Sequence, residues 1–296
     1  MKKPLLSTGY EYGVKHFYAE KEDILIKRIS DELNTNEETA YFLIGLGCAY
    51  VNGIRITNPE HKLNSDDYLR IHTKPRRYAI DDLERKNLIF YEDKDLIIAN
   101  KPSELPCIPT VDNCKENLLT HLESIYRSKI YVTHRIDIST SGLVVYAKNS
   151  EAQTQFNKLI MKNKITKNYR LLCHSSFNTD GKIKHWMKPS PKAPKEVSTT
   201  EIESWLMCEL EVLGYKPAGN FCQVEVNLLT GRTHQIRAQF SNLGFPLIGD
   251  ILYNGETRTN PKGIALEAMA LSFPWYDSAR NFYLPVTDRF KSYFEL

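Results

Sequence analysis

The sequence predicts an α+β protein: a small α/β domain followed by a large, mostly antiparallel mixed sheet with inserted helices. Two patterns support this fold class. From Leu88 onward, short apolar strands alternate with turns and with a few helical segments. Within 221–228, apolar and polar residues alternate, which is typical of a half-buried antiparallel strand. A chain of 296 residues also has room for one medium and one small domain.

The small domain is predicted over residues 22–72. Apolar residues recur at helical spacing within 24–33, and a second helix begins after Asn36 and closes at Gly47. The dipeptide Asn52-Gly53 separates two short apolar runs and predicts a two-residue hairpin turn, because both of its positions favour positive φ.

The remaining boundaries follow from composition. Residues 1–21 are assigned to an N-terminal extension, the charged and aperiodic segment 73–87 to a linker, and 88–296 to the large domain. Inside the large domain, a Ser-x-x-Gln pattern predicts a helix that starts near Ser150.

Composition argues against several classes of protein. Hydrophobic residues make up 42% of the chain and charged residues 25%, as in ordinary globular proteins and unlike disordered ones. No apolar run approaches the roughly 18 residues that a membrane span needs, and the first residues lack the apolar core of a secretion signal. The six cysteines form no C-x-x-C pair and the eight histidines show no ligand spacing. We therefore expect a cytoplasmic protein without a membrane partner, a metal or a cofactor.

The distribution of charge indicates a polyanion partner better than its total does. The net charge is only +3, but ten Lys and Arg residues and a single acid lie between Lys158 and Lys195. Attraction to phosphates depends on local potential, so this basic segment favours nucleic-acid binding. A solvated basic loop remains the alternative interpretation.

Two segments carry residues suited to chemistry. In the first, Asp137 lies just before a Thr-Ser-Gly turn and an apolar strand, where a rigid scaffold can present a carboxylate to a substrate. It could equally cap the turn through backbone amides. In the second, Arg232, His234 and Arg237 cluster at a helix start, where cations are unfavourable unless an anion offsets them. An ordinary surface salt bridge is the alternative there.

Taken together, the segments resemble the RluA-type pseudouridine synthases, whose hallmark is H-R-L-D followed by T-S-G and a strand ending in A-K. The resemblance spans about residues 88 to 275, in the family's order. Residues 22–72 also resemble the small RNA-binding domain typified by ribosomal small-subunit protein four. The matching elements are His134-Arg135-Ile136-Asp137, Thr140-Ser141-Gly142, Ala147-Lys148, Asn100-Lys101-Pro102, Lys167-x-Tyr169, the segment from Thr230 to Arg237, and Gly249-Asp250 with Tyr253 and Gly255.

The resemblance implies a cofactor-independent isomerase, acting as a monomer, that converts specific uridines of structured RNA to pseudouridine. Ribosomal RNA is favoured over transfer RNA as the substrate. Asp137 is the implied catalytic carboxylate, acting at C1′ of a flipped nucleotide, with the guanidinium of Arg237 forked onto it. The other implied roles are RNA contact for Arg135, a base-facing aromatic ring for Tyr169, a uracil-pocket wall for Ile236, and RNA binding for Arg232, His234, Lys164 and Lys167.

Three positions depart from the family's usual residues: Glu104 stands where Gly is common, and Gln239 and Glu267 where His is common. These departures leave open a non-catalytic RNA-binding or ribosome-assembly factor with the same fold. A glycoside hydrolase is a third hypothesis, because that reaction also passes through a cationic sugar, but it normally needs two carboxylates. The matched motifs supply one.

Overall fold

The computed structural model describes residues 13–79, 88–257 and 263–294. These residues form two compact units. The small unit contains the described residues up to 79 together with Ile108–Arg127, and the large unit contains 88–107 and the described residues from Ser128 onward. The part of the predicted linker from 80 to 87 lies outside the described residues.

The small unit packs two helices on a four-stranded antiparallel sheet. The helices are α1 (Leu25–Leu33) and α2 (Glu37–Leu46). Across the sheet the strands are β1 (Val14–Tyr18), β6 (Tyr68–His72), β3 (Ala49–Val51) and β4 (Ile54–Ile56), while β2 (Asp23–Ile24) pairs separately with β5 (Lys62–Leu63).

The local signals read from the sequence are present in this unit. The Asn36 side chain accepts a hydrogen bond from the amide of Thr39 at 2.9 Å and so begins α2. Gly47 ends the helix at φ 79°. Asn52 and Gly53 both have positive φ, at 49° and 84°, as the predicted hairpin turn requires.

Two segments of the small unit differ from the sequence-based division. Residues assigned to an N-terminal extension form β1, which pairs with β6 along its whole length. Ile108–Arg127, assigned to the large domain, belongs to the small unit. Its Cys114 amide donates to the carbonyl of Leu46 at 2.7 Å, and the Asp112 carbonyl accepts from the Cys48 thiol. These bonds join residues far apart in sequence, so no local pattern marked them. The segment ends in helix α3 (Leu118–Tyr126).

The large unit is built on an eleven-stranded sheet, counted within the described residues, that is antiparallel except where β10 meets β16. The predicted fold class is therefore confirmed. In chain order the strands are β7 (Ile89–Glu92), β8 (Leu96–Lys101), β9 (Tyr131–Val132), β10 (Ser141–Ala147), β11 (Thr166–His174), β12 (Gly181–Met187), β13 (Val197–Ser198), β14 (Leu206–Ala218), β15 (Phe221–Leu228), β16 (Leu266–Trp275) and β17 (Ser278–Tyr283).

Helices of the large unit are inserted between these strands, as expected. They are α4 (Ser150–Met161), α5 (Gln235–Asn242) and the short α6 (Asp288–Lys291). The start of α4 lies where the sequence predicted, but Asn149 caps it rather than Ser150, accepting from the amide of Ala152 at 2.8 Å. None of the helices among the described residues is long and apolar enough to cross a bilayer.

The main core lies between α5 and one face of the sheet. The apolar residues of β15 predicted to share a face are all buried in it. Ile236 and Phe240 of α5 pack against this face. The β15 residues are Cys222, Val224, Val226 and Leu228.

A close backbone approach fixes the strand that follows Asp137. Gly142 of β10 pairs with Ala268 of β16 in the parallel contact and has φ 107°. A Cβ on Gly142 would lie 2.3 Å from the carbonyl oxygen of Ala268. Only glycine allows this approach, so the Thr-Ser-Gly turn anchors the loop of Asp137 on the sheet.

Candidate active site

Asp137 lies in the loop between β9 and β10, with its side chain 22% exposed. The turn that follows is closed by the Thr140 amide, which donates to the backbone carbonyl of Asp137 at 3.2 Å. The carboxylate itself faces Arg237 and His234. The turn-capping interpretation is therefore wrong for the side chain, and the carboxylate is left accessible.

A buried lysine holds this loop in place through backbone hydrogen bonds. Lys101 is fully buried and donates to the carbonyls of Pro102, Leu105 and Ile138 at 2.8, 2.7 and 2.9 Å. Its three donors are thus all satisfied. Burial lowers the pKa of Lys101 to about 8. Because Ile138 follows Asp137 directly, the Lys101 ammonium fixes the backbone from which the carboxylate projects.

Arg237 projects from the first turn of α5 and joins two carboxylates. Its Nε and Nη2 donate to the two oxygens of Asp250 at 2.7 and 2.8 Å, whereas Nη1 lies 3.5 Å from Oδ2 of Asp137. The expectation that the fork engages Asp137 is wrong. Asp250 is 1% exposed and occupies the forked edge of the guanidinium, which leaves a single nitrogen for Asp137.

The environment of Arg237 keeps it charged. Burial opposes the charge, but the hydrogen bonds and charge of Asp250, followed by the charge of Asp137, raise the pKa of Arg237 above its usual range. The guanidinium also lies 5.0 Å from the centre of the Tyr253 ring. A permanent cation therefore stands behind the Asp137 carboxylate.

His234 begins α5 in the left-handed conformation, at φ 59°. Its Nε2 is 4.0 Å from Oδ2 of Asp137, and its Nδ1 is 3.1 Å from the hydroxyl of Tyr253. That hydroxyl also accepts from the amide of Lys195 at 2.7 Å. Burial lowers the pKa of His234, although the charge of Asp137 acts against this. Of the basic residues predicted at this helix start, Arg237 is the one offset by two carboxylates, those of Asp250 and Asp137.

A buried glutamine holds the turn that precedes α5. The Gln235 carbonyl accepts from the Thr230 hydroxyl at 2.8 Å and from the Arg232 amide at 3.0 Å, while its amide donates to the carbonyl of Glu209 at 3.0 Å. Gln235 was not singled out from the sequence, where only its place in the matched segment marked it.

Tyr169 and Ile236 lie in the core beside the site. Tyr169 is 7% exposed and Ile236 is 4% exposed, and both belong to the main core. Burial, followed by the charges of Asp137 and Cys107, raises the pKa of Tyr169 well above its usual range. A phenol in this environment is a poor proton acceptor at neutral pH.

The predicted RNA contacts occupy different environments. Arg135, Arg232 and Lys164 are exposed, whereas Lys167 is half-buried and its pKa is lowered by burial. Arg170, which contributed to the basic segment, is fully buried and pairs with Glu267 at 3.2 Å. Arg170 is therefore not part of any basic surface.

Two of the three departures from the family pattern make buried structural contacts in this chain, and the third occupies a left-handed backbone position. Glu104 adopts φ 61°, a conformation that glycine would accept without strain. The Gln239 amide donates to the carbonyl of Ile183 at 3.1 Å. Glu267 accepts from the Thr287 hydroxyl at 2.7 Å in addition to its pairing with Arg170. None of the three contacts the Asp137 carboxylate.

The site consists of one accessible carboxylate with a guanidinium behind it, in a sheet and helix framework. Comparison with known families gives the class. A family model described as RNA pseudouridylate synthase matches residues 95–242, and this chain belongs to that family.

Relatives agree with this assignment. The chain is 30% identical over 234 residues to "Ribosomal large subunit pseudouridine synthase D" of Pasteurella multocida, covering 74% of this chain and 69% of that protein. It is 31% identical over 245 residues to "RNA pseudouridine synthase 6, chloroplastic" of Arabidopsis thaliana, covering 71% of this chain and 51% of the relative. For the rice protein of the same description the covered share is 46%. The chain thus spans about half the length of these two plant relatives.

Solved structures share the fold. The structure of "Human RNA Pseudouridylate Synthase Domain Containing 4" aligns with a TM-score of 0.57 and 20% identity, over 69% of this chain and 90% of that one. "Human RNA Pseudouridylate Synthase Domain Containing 1" aligns with a TM-score of 0.56 and 23% identity, over 70% and 86%.

Proposed function

We propose that this protein is an RNA pseudouridine synthase that isomerises specific uridines of structured RNA. The observation that carries the proposal is the accessible Asp137 carboxylate, 3.5 Å from an Arg237 guanidinium that Asp250 holds in a bidentate pair. Family membership adds support.

The chemistry fits one carboxylate. Isomerisation breaks the bond between N1 of uracil and C1′ of ribose, turns the base and joins C5 to C1′; C5 then loses its proton and N1 gains one, so that no atom is lost overall. An anion near C1′ serves either as the nucleophile or as the partner of a cationic sugar. Asp137 is suited to both. The other carboxylate bound to Arg237, that of Asp250, is buried and so is not presented to a substrate beside Asp137. This favours isomerisation over glycoside hydrolysis.

The neighbouring residues receive positioning roles. The uridine must leave its stack to reach Asp137. Tyr169 then offers its ring to the base, Ile236 lines the uracil pocket, and Arg135 contacts the RNA near the flipped nucleotide. The raised pKa of Tyr169 favours stacking over proton removal for its part in the reaction.

The proposed substrate is ribosomal RNA in preference to transfer RNA. Several bacterial relatives are named for the large ribosomal subunit. The small unit is proposed as an RNA-binding domain of the type found in ribosomal small-subunit protein four, since its two helices and hairpin match that resemblance. The protein is proposed to act as a monomer without a cofactor.

The decisive experiment compares Asp137→Asn with the wild type. Pseudouridines are mapped in total RNA from cells that carry either form in place of the chromosomal gene. We expect the variant to lose one or a few specific pseudouridines while binding RNA as before. Unchanged modification would contradict the enzyme function and favour the RNA-binding alternative. Release of free uracil by the wild type would indicate a hydrolase.

The exposed Lys164 and the half-buried Lys167 provide a test of the RNA-binding surface. Each phosphate contact adds to the salt dependence of binding. Lys164→Ala and Lys167→Ala are therefore expected to weaken RNA binding. Each should also reduce the slope of log affinity against log salt by about the contribution of one phosphate contact. Lys216→Ala, which removes an exposed lysine of β14 outside the basic segment, is the matched control. Salt-independent binding would exclude these lysines from the interface.

A further inference from the structure

Both groups that approach the Asp137 carboxylate meet the same oxygen. Nη1 of Arg237 lies 3.5 Å from Oδ2, and Nε2 of His234 lies 4.0 Å from it. Within the described residues, Oδ1 has no hydrogen-bond donor. The two oxygens are therefore unequal: one faces protein cations and donors, and the other is left for a ligand.

The hydrogen bonds around Tyr253 favour one tautomer of His234. The Tyr253 hydroxyl accepts from the Lys195 amide at 2.7 Å, so its single proton is free to be donated to Nδ1 of His234, 3.1 Å away. A nitrogen that accepts this bond carries no proton. The ring proton of neutral His234 must then be on Nε2, the nitrogen that faces Asp137.

The surroundings of His234 are consistent with a neutral ring. Burial is the largest influence and lowers the pKa of His234. The neighbouring carboxylates raise that pKa, and the neighbouring cations lower it further. The charged groups that face it are Asp137, Arg237, Asp250 and Lys195.

We propose that His234 is a positioning residue: its Tyr253-bound, neutral form donates from Nε2 to Oδ2 of Asp137 and leaves Oδ1 to act at C1′. The inference rests on the proposed isomerase function. The gap of 4.0 Å is longer than a hydrogen bond, but such contacts commonly tighten when the substrate is bound. With Arg237 and His234 on one oxygen, rotation of the carboxylate would be restricted and its aim fixed.

The tautomer can be measured without any activity. In ¹⁵N-resolved imidazole spectra of the full chain, with His234→Asn identifying the signals, we expect Nδ1 without a proton and Nε2 with one. Tyr253→Phe should release this preference and give a mixture of tautomers. Tyr276→Phe is the matched control, because that hydroxyl donates to Asp95 outside the site. A protonated Nδ1 in the wild type, or an unchanged tautomer in Tyr253→Phe, overturns the proposal.

Single-turnover and steady-state assays on an RNA substrate test the role in catalysis. Asn accepts the left-handed backbone at position 234 but has no atom at the place of Nε2, so His234→Asn should lower kcat by roughly tenfold with little change in KM. His234→Gln retains an amide donor and should recover part of the loss. Equal kcat for His234→Asn and wild type would sink the inference. A wild type that makes no pseudouridine would instead contradict the proposed function and leave the tautomer result standing.

Discussion

Replacing Gly142 by alanine should destabilise the large unit strongly, because the new Cβ would overlap backbone atoms of the neighbouring strand. It would lie 2.3 Å from the carbonyl oxygen of Ala268, 2.7 Å from its nitrogen and 2.9 Å from its carbonyl carbon. All three are backbone atoms of the parallel contact between β10 and β16, so no side-chain rotation can relieve the overlap.

The expected cost has two parts. Holding a non-glycine residue at φ 107° costs about 1–3 kcal/mol. Forcing the strands apart in a packed sheet costs about another 1–3 kcal/mol. The sum, about 2–6 kcal/mol, is a large share of the roughly 5–15 kcal/mol that stabilises a typical domain.

The assay is equilibrium unfolding in urea followed by far-ultraviolet circular dichroism. Gly214→Ala is the matched control in the same unit, since Gly214 has no positive φ and its Cβ would have open space. The Gly142 variant should unfold at a clearly lower midpoint than both the control and the wild type. Equal midpoints for the two variants would refute the close-approach argument.

Three further substitutions test the surroundings of the site. Asp250→Asn leaves a buried guanidinium without its charged partner and should lower the free energy of unfolding by about 3–5 kcal/mol. The variant should also modify less RNA. Unchanged stability and modification would mean that Asp137 alone is enough to hold Arg237 in place. Glu104→Gly relieves a residue held at φ 61° and should leave the unfolding midpoint unchanged or raise the free energy by up to about 1 kcal/mol, whereas a large loss would show that its carboxylate is required. His134 has its pKa lowered by burial from 6.5 to about 3, so the unfolded chain alone takes up a proton between these values and stability falls as the pH falls through that window. His134→Gln should therefore flatten the decrease in unfolding midpoint between about pH 7 and pH 4, and an unchanged slope would assign the acid sensitivity to other groups.

Local elements could be predicted because their causes are local. The cap at Asn36, the helix end at Gly47 and the turn at Asn52-Gly53 each depend on one or two residues and their own backbone preferences. The buried face of β15 follows from simple alternation. The predicted cap of α4 was off by one residue, because Asn149 can cap a helix as well as Ser150 can.

The site was predictable only in part. Family resemblance brought Asp137 and Arg237 together although they are distant in sequence, and they lie 3.5 Å apart. It did not indicate that Asp250 holds the guanidinium fork or that Lys101 fixes the loop. The roles of Tyr169 and of the proposed RNA contacts stay predictions.

The order of residue types along the chain was enough to determine the fold class and the cores of individual helices and strands, and its motifs, through the family resemblance, pointed to Asp137 and Arg237. Only the tertiary structure decided which carboxylate occupies the fork of Arg237, which oxygen of Asp137 remains unengaged, and that Arg170 is buried away from RNA. These pairings depend on strand register and loop closure over long sequence separations. A guanidinium binds whichever carboxylate the fold brings to its forked edge, and sequence spacing carries no record of that geometry.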